Sequence, residues 1–206
     1  MTQSDRQSHW QQVYLSKGEQ QVSWSQPDPQ PSLGLIQKYA GGKGASIIDV
    51  GGGAARLVDA LVQDGFIEIT VLDLAEAALR SARERNGSSG AAIHWIAADV
   101  TVWWPIEPFD LWHDRAVFHF LVEDSDRQAY IDRLSSGVKI GGHAIIATFA
   151  LDGPEKCSGL PVRRYDPAGL AKVIGGAFEL LEYQAHRHLT PWGAPQSFQF
   201  SVFRRR

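Results

Sequence analysis

The residues of this sequence whose types and spacing could do chemistry are a run of glycines and the acids around it. Residues 47–58 read IIDVGGGAARLV. Asp49 closes an apolar run, Gly51, Gly52 and Gly53 follow, and an amphipathic stretch starts after them. Glycines allow a tight turn and let a ligand come close to the backbone. A helix opening after such a turn offers free N–H groups and a positive dipole end. The arrangement suits a nucleotide-like ligand at the carboxyl edge of a parallel sheet. A dinucleotide pattern G-x-G-x-x-G would need glycine at 56, where Arg56 stands. Asp73 (in VLDLAEA) and Asp99 (in AADV) end two later apolar runs. A carboxylate at Asp73 could accept both hydroxyls of a ribose, though a turn or helix-cap aspartate has the same look. Three acids at three successive strand ends are more specific than any one alone.

A second group lies in FDLWHDRAVFHFL, residues 109–121. Arg115 could hold an anion or pair with a neighbouring acid. Asp114 or His119 could accept a proton, the imidazole being near its ordinary pKa at neutral pH. His113 and His119 are six apart and His186 and His188 two apart, and neither spacing makes a metal site. The single cysteine, Cys157, excludes an intramolecular disulfide and a cysteine-based zinc site. It reads as a loop thiol and fits a reducing cytoplasm.

These residues need elements to position them. ASIIDV, IEITVLD, AIHWIAADV, FDLWHDR and HAIIATFA read as five strands. AARLVDALVQDG, AEAALRSARERNG and SDRQAYIDRLSSGV read as helices between them, with Ser125 capping the last. That alternation predicts βαβ units and a parallel sheet. After a helix near 167–174, AFELLEYQAH and QSFQFSVF predict an antiparallel pair at the sheet edge. Phe198, Phe200 and Val202 would face one way, and Ser197, Gln199 and Ser201 the other. Ahead of residue 45, a short helix over 8–16 and another from Ser32 (its N-cap) to Ala40 flank a proline-rich loop. One domain of 206 residues is expected, with 1–44 as a helical lid and 45–206 as the core.

Composition narrows the class. Hydrophobic residues at 44% and charged residues at 21% are globular values. A net charge of −3 gives no field for nucleic acid. No apolar run approaches the ~20 residues that span a bilayer, and residues 1–30 lack a signal-peptide pattern. Seven tryptophans are many, and Trp10 and Trp24 stand in the predicted lid with Tyr14.

Asp49 with Gly51, Gly53 and Ala55 resembles motif I of class I S-adenosylmethionine (SAM) methyltransferases, acid-x-G-x-G-x-G, with Ala55 in place of the third glycine. The resemblance covers about residues 8–206. It implies an α/β fold: a Rossmann-like seven-stranded sheet, mostly parallel, with an antiparallel C-terminal strand. It implies SAM as cofactor, bound by Asp49, Gly51, Gly52, Gly53, Asp73, Leu74, Asp99, Val100, His113 and Trp24. Trp10, Tyr14 and Trp24 could stack on the sulfonium or simply pack the lid. The Asn/Asp-Pro-Pro-aromatic motif of many N-methyltransferases is absent. Asp114-Arg115 and Asp126-Arg127-x-x-Tyr130 resemble instead the thiopurine methyltransferase-like group, which includes tellurite and halide/thiol enzymes. That implies a small-molecule soft nucleophile as acceptor, with Arg115, Asp114 and His119 as catalytic residues. A protein lysine methyltransferase and a non-catalytic SAM-binding regulatory domain stay open as alternatives. The chain is expected to work as a monomer or weak dimer, without membrane, nucleic acid or metal.

Overall fold

A computed structural model of the chain describes residues 3–18, 21–90 and 92–206. Residues 1–2 and 19–20 of the predicted lid lie outside the described residues. The chain runs α1 (Gln3–Ser16), α2 (Ser32–Tyr39), β1 (Ser46–Val50), α3 (Leu57–Gln63), β2 (Glu68–Asp73), α4 (Glu76–Asn86) and β3 (His94–Ala97). It continues with β4 (Phe109–Arg115), α5 (Asp124–Gly137), β5 (Val138–Phe149), a small β6–β7 hairpin (Lys156–Cys157, Leu160–Pro161), α6 (Pro167–Ile174), β8 (Phe178–Leu189) and β9 (Pro195–Arg205).

Seven strands form one sheet in the order β3-β2-β1-β4-β5-β9-β8. β1 pairs in parallel with both β2 and β4, and β9 runs antiparallel to both β5 and β8. The sheet is thus Rossmann-like and mostly parallel, with one antiparallel strand. Strand order reverses between β1 and β4, and the carboxyl ends at such a point are where open α/β sheets bind ligands.

The central strands are buried on both faces, which is why they read as apolar runs, while the edge strands β3 and β8 are partly exposed. Ile47, Ile69, Leu111, Ile145 and Phe200 pack with α2 and α3 on one side. Ile48, Leu72, Trp112, Ile146 and Phe203 pack with α5 and α6 on the other. β9 keeps the alternation of facing residues but is buried on both faces, with Gln199 and Ser201 4% and 0% exposed. Their polar groups pair with each other and with the Thr148 hydroxyl.

Two predicted helix starts shift. α5 begins with Glu123 at its N-cap, not Ser125. α2 begins at Ser32 itself, with Pro31 at the cap position, because the Ser32 hydroxyl is committed elsewhere. α1 is longer than its sequence pattern suggested and buries only Val13 fully. Among the described residues no helix is long and apolar enough to cross a membrane.

Candidate active site

The turn after β1 carries the glycines. Gly51 has φ +70° and Gly53 φ +51°, backbone conformations that side chains rarely adopt. A Cβ on Gly51 would overlap Val117, and one on Gly53 would lie 2.7 Å from the Tyr14 hydroxyl. Gly52 sits against Asp49 and Val71. The backbone therefore forms a bare cradle between β1, the end of β4 and the N-terminal segment. α3 starts only at Leu57, so Ala54–Arg56 belong to the turn rather than to the helix.

A cavity of about 1060 Å³ opens on this cradle. Of the predicted cofactor residues, Asp49, Gly51, Gly52, Asp73, Leu74, Asp99, Val100, His113 and Trp24 line it; Gly53 does not. His113 bridges Asp49 (Nδ1 to Oδ1, 2.7 Å) and the Ser32 hydroxyl (Nε2 to Oγ, 2.9 Å). In the neutral ring, Nδ1 donates to the carboxylate and Nε2 accepts from the hydroxyl. This buried chain fixes α2 against the end of β1.

Asp73 is 7% exposed at the end of β2 and accepts the Ala75 N–H at 2.8 Å. Burial pushes its carboxyl up to about 7, and the charge of Asp49 adds to that. Asp99 stands two residues beyond β3. Its Oδ1 accepts the Thr101 N–H and hydroxyl, and its Oδ2 accepts from Arg6 at 2.9 Å. Arg6 also reaches Asp126 on α5 at 2.5 Å. Sequence reading missed Arg6, which lies 93 residues from Asp99 and carries no local signal.

Aromatic rings from the N-terminal segment roof the cavity. Trp10 meets Trp24 and Phe120 edge-on at 5.7 and 5.0 Å, and Tyr14 meets Trp24 at 6.1 Å. Burial and the nearby Asp73 raise the Tyr14 phenol well above its ordinary pKa. Two basic side chains hold this roof by consecutive backbone carbonyls. His188 of β8 bonds the Ser23 oxygen at 2.7 Å, and Arg115 of β4 donates to the Trp24 oxygen at 3.2 Å. Trp104 and Trp192 are 53% and 61% exposed and line no part of the cavity.

The predicted catalytic residues separate. Arg115 lines the cavity, together with Cys157 and Phe198. Burial lowers its guanidinium to about 10. Burial likewise pushes the Cys157 thiol up to about 11, so it stays protonated and a poor nucleophile at neutral pH.

Asp114 does not line the cavity. It is fully buried, accepts the Tyr130 hydroxyl at 2.6 Å and the Val117 and Phe118 N–H groups, and its carboxyl is pushed up to about 6 by burial. Its role is to shape the turn after β4, where Ala116 holds φ +72°. Tyr130 in turn accepts from the Trp112 indole at 3.0 Å. His119 also lies off the cavity. Burial and the Arg115 charge hold its imidazole down at about 3, and its Nδ1 accepts the Phe149 N–H at 3.3 Å. Neither side chain lines the cavity, where the sequence reading expected both as proton acceptors.

The D-R-x-x-Y residues of α5 likewise do structural work. Asp126 takes Arg6, Arg127 donates to the Leu121 and Val122 carbonyls, and Tyr130 holds Asp114.

Solved structures share this architecture. One, solved for the conversion of a disulfide bond into a thioacetal group during echinomycin biosynthesis, is 20% identical, with a TM-score of 0.78 over 97% of this chain and 93% of its own. N-methyltransferase NodS from Bradyrhizobium japonicum, in complex with S-adenosyl-L-homocysteine (SAH), is 16% identical (TM-score 0.74, 97% and 98% covered). A Burkholderia thailandensis 1,6-didemethyltoxoflavin-N1-methyltransferase is 19% identical (TM-score 0.69, 98% and 86% covered). At these identities the likeness is one of fold, that of class I methyltransferases. No curated protein matches the chain. Residues 47–142, from β1 into β5, match the family model of a methyltransferase domain. That segment, a little under half of the chain, is similar to methyltransferase domains, and the fold around it is the one the solved methyltransferase structures share.

Proposed function

We propose that the protein transfers a methyl group from SAM to a small molecule bearing a soft nucleophile, such as a thiol or a chalcogen. The observation that carries this is one continuous cavity. The glycine cradle, Asp73 and Arg115 line it under a roof of Trp10, Tyr14 and Trp24. At about 1060 Å³ it has room for a cofactor with a small acceptor beside it.

The residues present fit the cofactor. The turn is bare where a Cβ on Gly51 would overlap Val117. Burial and the Asp49 charge raise the Asp73 carboxyl against its backbone N–H donors, and two ribose hydroxyls would add to those donors. Gly51 and Gly52 would hold the amino-acid end, Asp73 and Leu74 the ribose, and Asp99 and Val100 the adenine. Once bound, SAM supplies a methyl group already activated by its positive sulfur. The chain then has to align the acceptor and keep water out, which the aromatic roof does.

The acceptor end supports a soft nucleophile. Neither Asp114 nor His119 is available there as a base, so the acceptor must ionise readily by itself, as a thiol with a pKa of about 8.5 does. The structure solved for echinomycin biosynthesis also acts on sulfur. A nitrogen acceptor is the second reading, favoured by the two structures of N-methyltransferases.

Labelled SAM offered with small thiols, thiopurines, selenite, tellurite, halides, a heterocyclic amine and a cell lysate tests these readings. Label in a small sulfur or chalcogen product is expected. Label in the amine establishes the second reading. Label in a protein band means a lysine-directed enzyme, and no label despite tight SAH binding means a regulatory domain.

A further inference from the structure

We propose that Arg115 receives a carboxylate carried by the methyl acceptor, so that the substrate is a small acid whose nucleophile is a separate group. The inference rests on the methyltransferase reading for the cofactor's place. It begins from a charge without a partner.

The Nη1 of Arg115 donates to the Trp24 carbonyl at 3.2 Å. Its Nε and Nη2 are buried and have no hydrogen-bond partner among the described residues. No described carboxylate lies within ion-pair distance of it. Asp49, whose charge reaches Arg115, is committed to His113. The groups around the guanidinium are apolar or basic: the Phe198 ring at 5.3 Å, the protonated Cys157 thiol, and His119, His186 and His188, whose basicity its charge lowers. A buried cation surrounded in this way is disfavoured unless a ligand brings the counter-charge.

The geometry of these two donors names the ligand's chemistry. Nε and Nη2 lie on one edge of the planar guanidinium and present two parallel N–H donors, the fork that matches the two oxygens of a carboxylate. A thiolate or a halide engages only one of them. A phosphate has the same edge but brings more charge than one cation balances. Of the other basic side chains along the cavity, Arg6 and Arg56 already face Asp99, Asp126 and Asp59, and Lys17 is solvent-exposed, so Arg115 is the buried cation to be matched. A monoanion therefore fits best. The bond from Nη1 to Trp24 ties the guanidinium to the roof, so docking of the acid and seating of the roof are coupled.

The test uses the full chain saturated with SAH. 3-Mercaptopropionate and its methyl ester are titrated in turn while the Arg115 Nε–H resonance, assigned by its loss in Arg115→Lys, is followed by NMR. The free acid should shift that resonance and the ester leave it in place. In calorimetry the acid should bind at least tenfold more tightly than the ester, and Arg115→Met should erase that preference while still binding SAH. Equal binding of acid and ester, or a preference that survives in Arg115→Met, overturns the proposal and leaves the methyltransferase reading intact. Failure of the wild-type chain to bind SAH overturns both.

Discussion

Asp73 shows how one side chain sets the working range of the site. Its carboxyl, at about 7 before any ligand binds, is protonated below that pH and charged above it. Ribose hydroxyls donate, and so favour the charged form. SAH affinity should therefore rise between pH 6 and pH 8, by roughly tenfold, and level off above. Calorimetry across that range, repeated in buffers of different ionisation heat, should show a proton released on binding near pH 6. Folding stability changes with pH in the opposite sense. The folded pKa lies above the ordinary carboxyl value, so the native state loses stability as pH rises from about 4 to about 7. Asp73→Asn should raise the melting temperature at pH 8, weaken SAH binding, and abolish the pH dependence. A variant that melts lower and binds with the same pH profile would contradict this account. At the same scale, Asp49 and the glycines were legible because a β-strand followed by consecutive glycines has few other uses. The roles of Asp114 and His119 were not, because burial and partners, rather than residue type, decide whether a carboxyl or an imidazole can move a proton.

Among the elements, α1 is the one whose importance the sequence conceals. Its apolar periodicity is weak and only Val13 is fully buried, so the ring contacts of Trp10 and Tyr14 are not all that seats it. It is also held by polar contacts: Arg6 to Asp99 and Asp126, and the Gln11 side chain to the Ala77 N–H at the start of α4. Hydrogen bonds to charged groups contribute about 1.5–3 kcal/mol each, so two such partners can hold a helix that packs poorly. Arg6→Met should release α1, expose the 17–31 segment to limited proteolysis, and speed SAH dissociation by about tenfold or more while the sheet's circular dichroism is retained. Unchanged cleavage and an unchanged off-rate would mean that α1 is seated by something else. The strands, by contrast, were readable because burial on both sheet faces writes itself into the sequence as apolar runs. In β9 the polar alternation marks no solvent face, since Gln199, Ser201 and Thr148 satisfy one another inside the sheet.

For the whole molecule, the cavity joins parts of the chain that are far apart in sequence, so a ligand within it should stabilise the fold as a unit. SAH at 100 times its dissociation constant adds about 2.7 kcal/mol. For a chain of this size that amounts to a rise in melting temperature of roughly 5–10 °C. Tryptophan fluorescence and far-ultraviolet circular dichroism should report the same shift, because Trp10 and Trp24 sit in the roof and the strands lie below it. Separate transitions by the two probes would show a roof that melts on its own.

The two carbonyls that fasten the roof have a consequence for how the chain is made. His188 holds Ser23 across 165 residues of sequence, and Arg115 holds Trp24 across 91. Segments emerge from the ribosome in order, and contacts between distant segments are the slowest to form. The roof is synthesised before either partner, and its Ser23 fastening cannot form until β8 has been added to the sheet. The cofactor cleft beneath it is then sealed only on a chain whose sheet is complete, so a truncated product would have a cradle that never closes.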